Sequence, residues 1–203
     1  MSWSDNVLVA LSQVREEFVI LMVDDLFLIR PADTERIIQV LDWMANTVSN
    51  CTHLYARPRP AVNCTDLVGP LPKGTYYRAS AVSSLWRKNV LTSILRTGEN
   101  AWDFEIQGSR RSNEFDGFYS TLLPCFTFTN GLIKGKWDPR ALAVLKEHGV
   151  CPDTQKRGVM SYRNLTKLRL IELRGKMLEL IPLSMRGKLK DLVVGTGVRY
   201  RPY

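Results

Sequence analysis

The run Phe18 to Asp25, FVILMVDD, constrains this chain more than any other stretch. Six apolar residues in succession are too few for an ordinary helix and fit a strand buried on both faces. Two carboxylates, Asp24 and Asp25, follow at once. In an open α/β sheet the carboxyl ends of the strands are where ligands bind. Hard divalent cations such as Mg²⁺ or Mn²⁺ take one or two carboxylates and complete their shell with substrate phosphates. The pair is therefore a candidate for holding a metal and a diphosphate. The plainer alternative is an Asp-capped turn with its neighbour in solvent.

The flanking segments supply helices. Ser2 with Asp5 makes a capping-box-like start, and Val7, Leu8, Leu11, Val14 and Phe18 recur on one helical face. Pro31 and Asp33 open a second helix, with Ile37, Ile38, Val40, Leu41, Met44 and Val48 as its apolar face. His53 to Arg57 alternates weakly as a strand. The stretch from Pro58 to Gly74, rich in proline and glycine, predicts a long loop. Tyr76 to Val82 predicts a strand running into Trp86; Val90, Leu91, Ile94 and Leu95 give a helical face closed by Gly98. Two short strands are expected between Tyr119 and Ile133. Asp138 before Pro139 starts a further helix that Gly149 closes.

A second polar cluster lies in GENAWDFEIQGSRRS, where Glu99, Trp102, Asp103 and Glu105 fall close together beside Arg110 and Arg111. On a short helix Trp102 and Glu105 would share a face, so an aromatic platform and a carboxylate could meet one ligand. Tryptophan faces stack on sugar rings, and a neighbouring carboxylate can take a proton from a hydroxyl. Trp102, Trp86 and Arg110 are candidate substrate contacts. Lys134 and Lys136 of NGLIKGKW are candidates for phosphate, or else the solvated face of a strand.

Charge separates the body from the tail. The net charge is +8, yet residues 156–203 hold 12 Lys and Arg against three acids, leaving residues 1–155 near neutrality. We read 1–155 as one domain and 156–203 as a basic tail whose leucines and isoleucines alternate with Arg163, Lys167, Arg169, Arg174 and Lys176 as in an amphipathic helix. Such a tail would rest on an anionic membrane surface or pack back on the domain. Nucleic acid is the other anionic partner, but no helix-turn-helix, zinc or RNA-binding signature accompanies the charge. No apolar run approaches the ~20 residues needed to cross a bilayer. The four cysteines, Cys51, Cys64, Cys125 and Cys151, have neither zinc-site nor disulfide-framework spacing. A cytoplasmic chain, peripheral at the inner face of a membrane, is expected.

The order SWSDNVLVAL, VDDLFLIRPADTERI, YYRASAVSSLWRK, GENAWDFEIQGSRRS, NGLIKGKW resembles a bacterial family of GT-A-like glycosyltransferases of capsule and lipopolysaccharide synthesis. The resemblance covers most of residues 2 to 148. It implies an α/β fold, a Rossmann-like mixed sheet with flanking helices, and a nucleoside-diphosphate sugar as donor to a saccharide or lipid-linked acceptor. It implies Mg²⁺ or Mn²⁺ at Asp24 and Asp25, although the sequence reads V-D-D rather than D-x-D. It implies an acceptor-facing GENAWDFE segment with Glu105, Asp103 or Glu99 as general base. The nucleotide-binding strands of such enzymes would precede SWSD, so the chain is expected to be the acceptor-side portion of the fold. A non-catalytic remnant or a partner subunit is the alternative.

Overall fold

The computed structural model describes residues 1–133, 135–161, 164–166 and 170. The chain is a mixed α/β structure: a five-stranded mixed sheet with helices on both faces.

Local chemistry sets the first helix. In α1 (Trp3–Gln13) the Ser2 side chain accepts from the Asp5 amide and the Asp5 carboxylate accepts from the Ser2 amide, a complete capping box. Strand β1 (Phe18–Leu21) follows, then a turn holding Asp24 and Asp25, then β2 (Leu26–Leu28). Asp33 caps α2 (Thr34–Ala45) by accepting from the Arg36 amide at 3.1 Å. Next come β3 (Cys51–His53), β4 (Val68–Pro70), β5 (Ser84–Arg87) and α3 (Lys88–Ile94). A compound helix runs through α4 (Ala101–Asp103), a π-helical stretch at Phe104–Gly108 and α5 (Ser109–Arg111). Strands β6 (Phe118–Thr121), β7 (Phe128–Asn130), β8 (Leu132–Ile133) and β9 (Lys136–Trp137) lead to α6 (Pro139–Glu147), capped by Asp138.

The sheet order is β1-β5-β3-β6-β4. Strands β1, β3 and β6 run in one direction, with β5 and β4 opposed. The register Val19, Trp86, Cys51, Phe118 lines one face, because directly paired residues point to the same side. That face is covered by Leu11 of α1, Val90, Leu91 and Ile94 of α3, and Phe104 of the π segment. On the other face Leu85, Leu54 and Val68 meet Val40 and Met44 of α2. Gly117 makes the entry to β6 possible: it sits at φ +75, and a Cβ there would stand 2.2 Å from the Val48 carbonyl oxygen.

Several expectations are corrected. The FVILMV run is not a strand buried on both faces. Its first four residues form the sheet's edge, pair among the described residues with β5 alone, and leave Ile20 41% exposed. Residues 76–82 are turns rather than a strand, with Tyr77 at φ 57 and Ser83 at φ 44. The strand expected at His53 to Arg57 lies earlier, at Cys51–His53. Gly98 does not cap α3, whose C-cap is Leu95. Val48 lies beyond α2 and is 89% exposed.

Most of the basic tail lies outside the described residues, including Arg163, Lys167, Arg169, Arg174 and Lys176. Within the described part, Met160 and Leu165 are buried together against Ile133. Among the described residues no helix is long and apolar enough to cross a membrane.

Candidate functional site

The sheet register puts the Asp24–Asp25 turn and the segment that holds Glu105 beyond the same end of two paired strands. Leu21, at the end of β1, pairs with Ser84, at the start of β5. The turn beyond Leu21 carries Asp24 and Asp25; the segment before Ser84 carries Ser80 and Ala81, which hold Glu105. Both clusters border one hydrophobic cluster: Val23 precedes Asp24, while Ala81 and Phe104 adjoin Glu105.

Asp24 is exposed and Asp25 half-buried. Burial is the largest influence on the Asp25 carboxyl and raises its pKa; the neighbouring Asp24 charge adds to the rise, and the Asp25 backbone amide works against it. A cation between them would relieve that repulsion. The Asp25 carbonyl accepts from the Gly131 amide at 3.1 Å, which ties the turn to the end of β7. The donor set is all oxygen, which suits Mg²⁺ or Mn²⁺ completed by substrate phosphates. Among the described residues no group of three His, Cys, Asp or Glu side chains forms a closed metal cage.

Glu105 is only 8% exposed, on the π-helical stretch. Such bulges recur at functional sites because the extra residue redirects a side chain. Its Oε1 accepts from Ser80 Oγ at 2.8 Å and from the Ala81 amide at 3.1 Å. Burial pushes its carboxyl pKa up, and those two hydrogen bonds restrain the rise. Ser109 Oγ, one turn on, accepts from the Ala79 amide at 3.0 Å, so residues 79–81 are fastened to the helix at two levels. Trp102, in contrast, is 46% exposed. The pair expected on one face therefore sits in two environments, an outward ring and an inward carboxylate.

The other sequence candidates fall in distinct places. Glu99 is bound through both oxygens to Arg111, at 2.9 and 2.6 Å, in a largely buried ion pair. Its backbone is fastened to the first helix, since Ser4 Oγ donates to the Glu99 carbonyl and accepts from the Glu99 amide, both at 3.0 Å. Glu99 thus joins α1 to the compound helix and is not available as a base. Asp103 is exposed and accepts from Asn100 Nδ2 at 2.6 Å. Trp86 is wholly buried between Phe104 and Phe118, at centroid distances of 6.3 and 5.7 Å, and offers no surface to a substrate. Arg110 is exposed beside Gln107. Lys136 is exposed on β9, and Lys134 lies outside the described residues. Burial holds the Cys51 thiol well above its ordinary pKa and pushes Cys125 up to about 11, so neither is a nucleophile near neutrality.

Sequence reasoning missed His53, at the carboxyl end of β3 and 1% exposed. Its Nδ1 lies 2.9 Å from the Arg57 carbonyl and its Nε2 3.0 Å from the Arg78 carbonyl. Both partners are acceptors, so a neutral ring donates to one of them and an imidazolium to both. Burial lowers its pKa, the two carbonyls oppose that, and the Arg78 guanidinium adds to the lowering. The two carbonyls directly follow Ala56 at φ 56 and Tyr77 at φ 57, left-handed positions that cost roughly 1–3 kcal/mol each in residues other than glycine. Arg78 is 2% exposed, lies 4.0 Å over the Phe118 ring and donates to the Leu71 and Phe115 carbonyls. Nothing local in the sequence marks His53.

Set against family profiles, curated proteins and solved structures, the chain has no match.

Proposed function

We propose that this chain is a GT-A-like glycosyltransferase moving a sugar from a nucleoside-diphosphate donor to a hydroxyl of a saccharide or lipid-linked acceptor. The observation that carries the reading is the buried Glu105 carboxylate, held by Ser80 and Ala81 just before the end of β5 that pairs with the end of β1 leading to Asp24 and Asp25. The motif order described above supports it.

In this reading Glu105 is the general base of an inverting transfer. Ser80 and Ala81 fix Oε1, and Oε2 accepts no hydrogen bond among the described residues. A proton from the acceptor hydroxyl passes to Glu105 as its oxygen attacks the sugar; the bond from sugar to phosphate breaks, and the diphosphate leaves with the electron pair. Burial raises the pKa of this carboxyl, so it accepts a proton more readily than an ordinary one. Asp24 and Asp25 would hold Mg²⁺ or Mn²⁺, which when bound supplies positive charge against the leaving diphosphate. Trp102 offers an outward ring to a sugar face, with exposed Arg110 on the same helical segment. The basic tail would keep the protein at an anionic membrane surface near a lipid-linked acceptor.

The test is metal-dependent hydrolysis or transfer of a panel of nucleoside-diphosphate sugars by wild type and by Asp24→Asn/Asp25→Asn. Loss of the metal-dependent rate in the double variant supports the assignment. An unchanged rate overturns it.

A further inference from the structure

We propose that Arg57 and Arg59 form an oxyanion-binding subsite, held in place by His53, beyond the same end of the sheet as Asp24 and Asp25. The proposal rests on the transferase reading for its biological meaning, since it names what one substrate must carry: a phosphate or carboxylate group reached by two guanidinium groups.

The sequence around them is Tyr55-Ala56-Arg57-Pro58-Arg59-Pro60. Each proline fixes its own φ and restricts the residue before it, so both arginines stand on a stiff strip. Both ends of the strip are anchored. At one end the buried His53 ring contacts the Arg57 carbonyl at 2.9 Å. At the other, Pro60 lies against Gly69 of β4, so closely that a Cβ on Gly69 would be 2.6 Å from the Pro60 Cβ. The Arg57 guanidinium is 5.9 Å above the Tyr55 ring, which stacks on Phe128 at 4.2 Å. Phe128 pairs with Leu28 in the ribbon of β2 and β7, whose opposite end, where Leu26 pairs with Asn130, adjoins the hydrogen bond from the Gly131 amide to the Asp25 carbonyl. Arg57 is thus linked to the turn that carries the aspartates through Tyr55, Phe128 and the length of that ribbon.

Both arginines are exposed, and among the described residues neither is ion-paired with a carboxylate. The chain holds this strip through a left-handed Ala56 and a buried histidine whose other nitrogen faces the Arg78 carbonyl, beside left-handed Tyr77. Such an arrangement is costly for a solvated surface and reasonable for one that presents charge in a fixed direction. The planar guanidinium fork matches the oxygens of carboxylate and phosphate, and two forks on a stiff strip favour a group with several oxyanions.

The probes are inorganic pyrophosphate, for a donor diphosphate, and a trigalacturonate, for a carboxylated acceptor. Binding is measured by calorimetry on the full chain in EDTA, so that the aspartates and their metal do not contribute. Wild type should bind one probe, and Arg57→Ala/Arg59→Ala should weaken it by about tenfold or more without lowering Tm. His53→Asn should weaken the same probe with both arginines still present. Asp24→Asn/Asp25→Asn, which removes negative charge and no donor, should bind the probe no more weakly than wild type even though it loses the metal-dependent rate, which separates this subsite from the transferase assignment. Binding of neither probe, or equal binding by wild type and the arginine variant, overturns the proposal; unchanged affinity in His53→Asn overturns the role given to the histidine.

Discussion

Replacing Glu105 in two ways separates what its oxygen does for the fold from what its charge does for chemistry. Glu105→Ala removes the acceptor for Ser80 Oγ–H and the Ala81 amide, both in buried surroundings. Each orphaned donor costs about 1–3 kcal/mol, and water entering the vacated space recovers part of that. A net loss of about 3 kcal/mol lowers Tm by roughly 6–12 °C in a chain of this size. Glu105→Gln keeps an oxygen for both donors and removes a charge that burial disfavours. Its Tm should stay near or above that of wild type, whereas transfer should fall about 10²- to 10⁴-fold, the usual contribution of a general base. The pH dependence has a definite sign. The folded-state pKa of Glu105 is raised above 4.5, so its contribution to stability is fully present below that value and is lost as pH rises through the folded pKa. The stability of wild type relative to Glu105→Gln should therefore fall with rising pH across that window, read by urea denaturation at several pH values. A Glu105→Gln protein that transfers at the wild-type rate, or melts as low as Glu105→Ala, would refute the reasoning.

Arg111→Ala should cost on the order of 2–3 kcal/mol in denaturant unfolding, because Glu99 keeps its charge in a largely buried place after losing both hydrogen bonds; Arg111→Lys should recover part of it. Gly117→Ala should cost at least about 2 kcal/mol, since its φ is left-handed and the new Cβ collides with the Val48 carbonyl; a Tm equal to wild type contradicts the strand entry described. For His53 the folded pKa lies below its ordinary 6.5, so its contribution is present at higher pH and is lost as pH falls below 6.5. Denaturation at pH 7.5 and 5.5 should show that loss in wild type and not in His53→Asn.

The parts legible in the sequence were those decided by neighbouring residues. Ser2 with Asp5, Asp33, and Asp138 with Pro139 each announce a helix start, and each caps one. The mixed α/β character was what the resemblance implied, and the helices and short strands read from the residues agree with it. The edge position of β1 was not legible, because FVILMV reads alike at an edge or in a centre and only distant pairing with β5 distinguishes them. Residues 76–83 misled because their left-handed positions are Tyr77 and Ser83, where no glycine advertises a turn. The π-helical stretch adds one residue that no 3.6-residue period encodes, so Trp102 and Glu105 were expected to share a face. Glu99 stood out by its acidity, but its partners, Ser4 and Arg111, come from elements far apart and close together along the chain, and only the fold joins all three.

The central claim is that the aspartates after β1 and the glutamate on the π-helical stretch border one substrate pocket. Titrating Mn²⁺ and a nucleoside-diphosphate sugar into isotopically labelled protein, and following paramagnetic broadening of backbone amides, tests it directly. The account predicts broadening at Asp24 and Asp25 that extends to Ser80, Ala81 and Glu105 and disappears in Asp24→Asn/Asp25→Asn. Broadening centred on other residues, or persisting unchanged in that double variant, would contradict it.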